Sequence, residues 1–312
     1  MTQQLKLQQK AKELLTNKTV DVVIGYGLSS DQPCLILVTD PADTEQLIWN
    51  DRCNQNLVTY LTRKEVRALG KAAIVAKGCD VKSLVVLELE NQIDRNSMVV
   101  IGMECYGVQV LEPTAMNLTP SSTSSSTSSS SPSSTSSSLR MAAKCLSCEV
   151  NKPLNCDEVI ECETIPANQS ADTTKKYDRL NKLMAMNTDE RLNYWKEEFS
   201  RCIKCYACRQ SCPLCYCNVC VVDKNRPVRI DTSATLKGNF AWNILRAFHL
   251  AGRCVGCSAC SDACPAGIDL DLLNLSLAKA AEENFNHKSG LNRSENLLIG
   301  TFSPDDHEEF IR

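Results

Sequence analysis

Histidine is scarce in this sequence, with three in 312 residues, and aromatic residues make up only 5%. No arrangement of side chains suggests a general acid–base pair or an organised nucleophile, so the chain offers no machinery of its own for proton-transfer or covalent catalysis. An excess of positive charge is also missing. The 34 Lys and Arg stand against 37 Asp and Glu, and the basic residues are scattered. That leaves no electrostatic footprint for nucleic acid. No run approaches the roughly 20 apolar residues of a membrane span. The opening "MTQQLKLQQKAKELL" reads as a polar amphipathic helix without the apolar core of a secretory signal. A G-x-G-x-x-G fingerprint is absent too. These absences predict a cytoplasmic protein with no nucleic-acid partner and no membrane insertion.

Cysteine, by contrast, is abundant, at 19 residues. In a reducing compartment, crowded thiols serve as metal ligands or redox centres more than as structural disulfides. An odd total also fits a disulfide framework poorly. Seven of them fall within "CIKCYACRQSCPLCYCNVC", residues 202–220. Two runs share one spacing: Cys202, Cys205, Cys208, Cys212 and Pro213, then Cys254, Cys257, Cys260, Cys264 and Pro265. Each is C-x2-C-x2-C-x3-C-P, the bacterial ferredoxin run, whose fourth cysteine ligates the other cluster. Three thiols two residues apart curl the backbone around one corner of a cubane, and the fourth leaves along the next helix. The spacing therefore assigns Cys202, Cys205, Cys208 and Cys264 to one [4Fe-4S] cluster. It assigns Cys254, Cys257, Cys260 and Cys212 to a second. Zinc is the simpler rival, but it pairs C-x2-C knuckles around a tetrahedral ion, and tripled runs closed by x3-C-P fit that badly. Cys215, Cys217 and Cys220 remain without a place. They either join Cys156 or Cys162 in another site or stay as free thiols. His249, five residues before Cys254, is read as a hydrogen-bonded helix residue rather than a ligand.

The first third of the chain reads as α/β. "VDVVIGY" (20–26), "CLILVT" (34–39), "NLVTYL" (56–61), "KAAIVAKG" (71–78) and "SMVVIGM" (97–103) are apolar runs of strand length. Thr62 with Glu65 predicts a capping box opening a short helix that Gly70 ends. Asp80 reads as the N-cap of a helix over 80–90. Strands alternating with helices imply a mostly parallel sheet. Cys79 and Cys105 fall at the C-terminal ends of strands, the edge where such sheets build their sites. Cys34, within an apolar run, reads as a core residue. The Ser-rich stretch 117–138 reads as a flexible insert, and 163–187 as irregular. Helices are predicted over 188–202, capped by Thr188 with Arg191 at N3, over 239–254 and over 268–285. They suggest a helical dicluster ferredoxin domain rather than a compact βαββαβ ferredoxin. The expected division is an α/β domain at 1–112, an insert at 113–140, and a Cys-containing segment at 141–187 that completes the first domain. The dicluster domain then takes 188–285 and a loose polar tail 286–312.

The stretches "WNDRCNQNLVTYL", "AKGCDVKSLVVLELENQIDR", "MVVIGMECYGV" and "KCLSC", followed by the two ferredoxin runs, resemble the beta-subunit family of coenzyme F420-reducing hydrogenase and formate dehydrogenase. The resemblance extends over most of residues 20–285. It implies an electron-transfer subunit that accompanies a hydrogenase, formate dehydrogenase or heterodisulfide-reductase-like catalytic partner. It also implies FAD, and a third [4Fe-4S] cluster held by the N-terminal region. The family's recurring cysteines match Cys79, Cys105, Cys145 and Cys148, with Cys53 a further candidate. For all four to share one cluster, the Ser-rich insert must loop out. Two readings follow: an iron-sulfur relay between a catalytic partner and a redox acceptor, or a flavin-containing oxidoreductase that itself reduces a deazaflavin or similar substrate. A cluster-based regulator would need an effector domain, and none is visible.

Overall fold

The computed structural model describes residues 1–111, 139–163, 172–223, 226–228, 230–231, 233–300 and 304. The Ser-rich stretch 117–138 lies outside the described residues. The chain opens with helix α1, Gln3–Thr16, whose first turn is capped by Thr2. Leu7, Ala11, Leu14 and Leu15 form its buried stripe, the i, i+4, i+7, i+8 spacing of one helical face. Strands β1 (Val22–Ser29) and β2 (Gln32–Val38) pair as an antiparallel hairpin. Ser30 and Asp31 turn it, both with positive φ, as two-residue hairpins require. Helix α2 is a single turn, Lys64–Arg67. Strand β3 (Ala72–Ala76), helix α3 (Gly78–Leu89) and strand β4 (Met98–Met103) follow. Strands β5 (Gln109–Leu111) and β6 (Leu139–Met141) form a small ladder of their own, and β7 is Glu158–Ile160.

The main sheet runs β2-β1-β3-β4-β7. Strands β1, β3, β4 and β7 are parallel, and only β2 opposes them. The α/β class with a mostly parallel sheet is as the sequence implies. All five residues of β3 are buried, the continuous apolar run of a strand covered on both faces.

Three local expectations are corrected. Residues 57–60 are a 3-10 turn, not a strand, because the Asn56 side chain accepts the Val58 N–H and folds the chain over. Thr62 donates its hydroxyl to the Thr59 carbonyl instead of capping a helix. Helix α3 starts at Gly78, so Asp80 sits in its first turn and accepts the Lys77 N–H at 2.9 Å. Gly78 is needed there because a Cβ would meet the Val150 carbonyl oxygen at 1.8 Å. Strand β7 went unread because three residues carry no period.

The C-terminal part is helical: α4 (Asp178–Met184), α5 (Thr188–Ser200), α6 (Ala207–Gln210), α7 (Leu236–His249), α8 (Ala259–Asp262) and α9 (Leu270–Phe285). Helix α4 falls within the stretch expected to be irregular. Asn187, not Thr188, caps α5, its side chain accepting the Glu190 N–H while Glu190 answers from N3. Helix α7 starts three residues earlier than expected, at the Thr235 cap. Phe199, Ala247, Ile268, Leu270 and Leu273 make a local core, on which Trp195 stacks. Leu214, Leu250, Val255 and Ala259 are buried in the core of the sheet region, so the helical part is docked rather than tethered. The partly buried Arg253–Glu90 pair ties the two together. The segment after α9 is not loose as expected: His287 is buried and hydrogen-bonded to the Gly252 carbonyl at 2.8 Å.

At the head of α3 lies a buried ionic node. Lys77 and Asp80 are 2% and 0% exposed, and their charges pair at 2.9 Å. Lys77 Nζ also donates to the Tyr26 hydroxyl and, at 2.9 Å, to the Gln55 carbonyl. Removing one member of such a pair strands a buried charge and costs about 3–5 kcal/mol. Asp80→Ala and Lys77→Met are each expected to destabilise the fold by that amount in urea titrations. The double variant is expected to lose much less than the sum of the two.

Candidate metal centre

The two cysteine runs adopt the same backbone. In the first, Lys204 and Tyr206 flank Cys205 at φ 58° and 59°; in the second, Gly256 and Ser258 flank Cys257 at φ 69° and 54°. A left-handed non-glycine residue costs about 1–2 kcal/mol, and here the strain repeats at matching positions. Such residues persist where the surroundings hold them, typically at functional sites. The Tyr206 ring meets Trp242 edge-on at 5.1 Å, and the Ser258 hydroxyl donates to Asp271 at 3.2 Å. Left-handed residues in a loop turn successive N–H groups into a concavity that favours anions, as at phosphate and iron–sulfur sites. Helices α6 and α8 then carry Cys208 and Cys260 inward, where both are buried.

The runs also exchange partners in space. Cys202, Cys205 and Cys208 line one cavity together with Cys264 of the other run. Cys254, Cys257 and Cys260 line a second, of about 320 Å³, together with Cys212 of the first run. Cys79, Cys105, Cys145 and Cys148 line that same second cavity. Cys79 sits in the first turn of α3 and Cys105 just beyond β4. The β5–β6 ladder pairs Leu111 with Leu139, which closes the ends of the intervening segment and brings Cys145 near Cys105. Asn151 fixes the approach by hydrogen bonds in both directions with the Cys105 backbone, each 2.9 Å.

Backbone amides are directed at the sulfurs. The Val108 N–H donates to the Cys145 sulfur at 3.4 Å. The amides two residues on from Cys105, Cys148, Cys212, Cys254 and Cys257 lie close enough to those sulfurs to favour the thiolate. Burial nevertheless dominates and pushes the Cys254 thiol up to about 12. It raises Cys79, Cys105, Cys145, Cys148, Cys208, Cys257 and Cys260 as well.

Two buried cations lie among these thiols. Arg246 of α7 is 6% exposed and donates Nη2 to the Cys208 carbonyl at 3.0 Å. Lys144, with a side chain 7% exposed, donates Nζ to the Cys257 carbonyl at 2.8 Å and approaches Asp262 at 3.5 Å. Sequence reasoning missed both, since a lone Arg or Lys has no diagnostic spacing; only the fold reveals their neighbours.

The remaining cysteines divide. Cys53 is buried in the apolar core and lines neither cavity. Cys156 packs beneath Gly102 of β4, and Cys162 follows β7; both also lie outside the two cavities. Cys215 hydrogen-bonds with Cys212. With Cys217, Cys220 and His249 it lines a third cavity of about 550 Å³, which keeps His249 away from both cysteine cavities. Among the described residues, no three His, Cys, Asp or Glu side chains close on a point fit for a single ion. All-thiol donor sets, inward amides, left-handed loop residues and an Arg246 Nε with no partner among the described residues fit an iron–sulfur group.

Comparison with known proteins agrees. Residues 201–269 match the family described as 4Fe-4S dicluster domain, so the chain is an iron–sulfur protein. It is similar to the F420-dependent formate dehydrogenase subunit beta of Methanocaldococcus jannaschii, 39% identical over 80 residues, 25% of this chain and 20% of that protein. It is also similar to the F420-dependent formate dehydrogenase 1 subunit beta of Methanococcus maripaludis, 32% identical over 57 residues, 18% of this chain and 14% of that protein. The chain thus spans about a fifth or less of the length of the curated relatives it matches. No helix among the described residues is long and apolar enough to cross a membrane.

The raised thiols set a pH dependence. A group whose folded pKa is raised stabilises the fold fully below its ordinary value, about 8.5 for a thiol, and loses that contribution as pH climbs toward the folded value. Ligand-free protein is therefore expected to lose thermal stability above about pH 8.5. Loading with iron and sulfide at pH 7 is expected to release about one proton per bound thiol, measurable by pH-stat, and to remove that alkaline loss.

Proposed function

We propose that this chain is an iron–sulfur electron-transfer subunit of an oxidoreductase. The observation that carries the reading is the shared lining of the 320 Å³ cavity by Cys212, Cys254, Cys257 and Cys260 on one side and Cys79, Cys105, Cys145 and Cys148 on the other. In this reading Cys202, Cys205, Cys208 and Cys264 hold a first [4Fe-4S] cluster. Cys254, Cys257, Cys260 and Cys212 hold a second, and Cys79, Cys105, Cys145 and Cys148 a third. When bound, the clusters supply one-electron uptake and release at potentials set by hydrogen bonds, charge and burial. The protein's own work is to hold the sulfurs, to aim amides and cations at them and to keep water out. Residues 188–285 serve as the dicluster module, and 1–112 with 141–187 as the α/β platform for the third site. The Arg253–Glu90 contact and the shared core keep the two in register.

The names of the similar proteins support a formate-oxidising catalytic partner and coenzyme F420 as the redox acceptor. A hydrogenase or heterodisulfide-reductase-like partner uses the same relay. Two-electron exchange with a deazaflavin requires FAD, in this chain or in the partner; no residues here are assigned to it.

Purified without oxygen, the chain is expected to contain about eight to twelve iron atoms with matching acid-labile sulfide, for two or three cubanes. Zinc without sulfide would refute the reading. FAD retained by the isolated chain, with turnover of a deazaflavin, would assign it catalysis of its own. Cys264→Ala is expected to disturb the EPR signal of the site formed by Cys202, Cys205 and Cys208, and to spare the one formed by its own run.

A further inference from the structure

We infer that Arg246 and Lys144 are the electrostatic joints of the relay, one between the first and second sites and one between the second and third; this rests on the cluster assignments proposed above. Arg246 is buried, and its Nη2 donates to the carbonyl of Cys208, a first-site residue. The same guanidinium faces the sulfurs of Cys212 and Cys260, which belong to the second site, and that of Cys215, which belongs to none. Its Nε has no hydrogen-bond partner among the described residues, and no carboxylate among them is a partner of the guanidinium. Lys144 repeats the arrangement one step on. Nζ donates to the carbonyl of Cys257, a second-site residue, while its charge faces Cys79 and Cys145 of the third site. Unlike Arg246, it has a carboxylate nearby, Asp262 at 3.5 Å.

A buried cation is worth most where negative charge increases. Reduction of each site adds one electron and makes or breaks no bond, so a fixed positive charge beside it favours the reduced form. Placed at a joint, one cation acts on both neighbours at once and keeps their potentials close enough for exchange. The second site alone touches both cations. Lys77, the third buried cation of the region, is paired with Asp80 at 2.9 Å and contributes little net charge.

The experiment is an EPR-monitored redox titration of the anaerobically purified protein, with dithionite as the electron donor, on parent, Arg246→Gln, Arg246→Lys and Lys144→Gln. Glutamine keeps a hydrogen-bond donor and loses the charge; lysine keeps the charge and loses the guanidinium's shape. Arg246→Gln is expected to shift the reduction equilibria of the first and second sites at least about tenfold toward the oxidised form, a fall of about 59 mV for a one-electron step. The third should stay in place. Arg246→Lys is expected to titrate close to the parent. Lys144→Gln is expected to lower the second and third sites by less, since Asp262 already offsets part of the charge, and to leave the first unchanged. Equal shifts in the Gln and Lys variants at position 246, or loss of iron and sulfide from both, would assign the residue to packing and overturn the inference. So would unchanged midpoints in cluster-bearing Gln variants, while the functional reading would stand. A parent without iron and sulfide would overturn the functional reading first.

Discussion

Under the cluster assignment proposed above, the structure depends on one constraint: sulfur atoms that become negative on binding metal lie in an interior that disfavours charge. Burial is the largest influence on most of the ligand-candidate thiols and drives them toward their neutral forms, Cys254 to about 12. Neighbouring amides and cations work against that penalty, while Asp80 beside Cys79 and the crowding of the thiols add to it. Amides from residues two positions on point back at the sulfurs, and the cations Arg246 and Lys144 are buried alongside. A polar group in such surroundings is costly unless it is satisfied. The arrangement suits a group that brings compensating positive charge.

The same constraint explains the backbone. Turning amides inward requires left-handed residues, and Lys204, Tyr206 and Ser258 accept that strain without being glycine. Their side chains are held by outside partners: Lys204 by the Gly238 carbonyl, Tyr206 by Trp242 and Ser258 by Asp271. Helices α7 and α9 thus do more than fill space. They supply the contacts that keep the cysteine loops in a conformation the chain would not adopt alone, and α7 contributes Arg246. The α/β sheet plays the matching part at the other end, where β4 and α3 deliver Cys105 and Cys79 to one cavity wall.

Much of this was legible in the sequence because its signals are local. The C-x2-C-x2-C-x3-C-P spacing constrains a loop within a dozen residues, so the expectation that Cys212 and Cys264 exchange between runs came from the sequence, and each does line the cavity of the other run. The parallel sheet followed from apolar runs alternating with helices. What escaped had no local signature. The 57–60 turn looks like a strand until the Asn56 side chain is seen to accept the Val58 amide. Strand β7 is three residues long and exists only because β4 offers it an edge. The Lys77–Asp80 node, Lys144 and Arg246 are single residues whose meaning lies in their neighbours. Cys53, a further candidate from the resemblance, is buried in the apolar core and lines neither cysteine cavity.

The most direct test of the account is an iron anomalous-difference map from crystals grown without oxygen. The account predicts separate iron clusters, the first enclosed by Cys202, Cys205, Cys208 and Cys264 and the second by Cys254, Cys257, Cys260 and Cys212. A third should lie across the shared cavity among Cys79, Cys105, Cys145 and Cys148. Iron held by four cysteines of a single run, or no iron signal at these cavities, would contradict it.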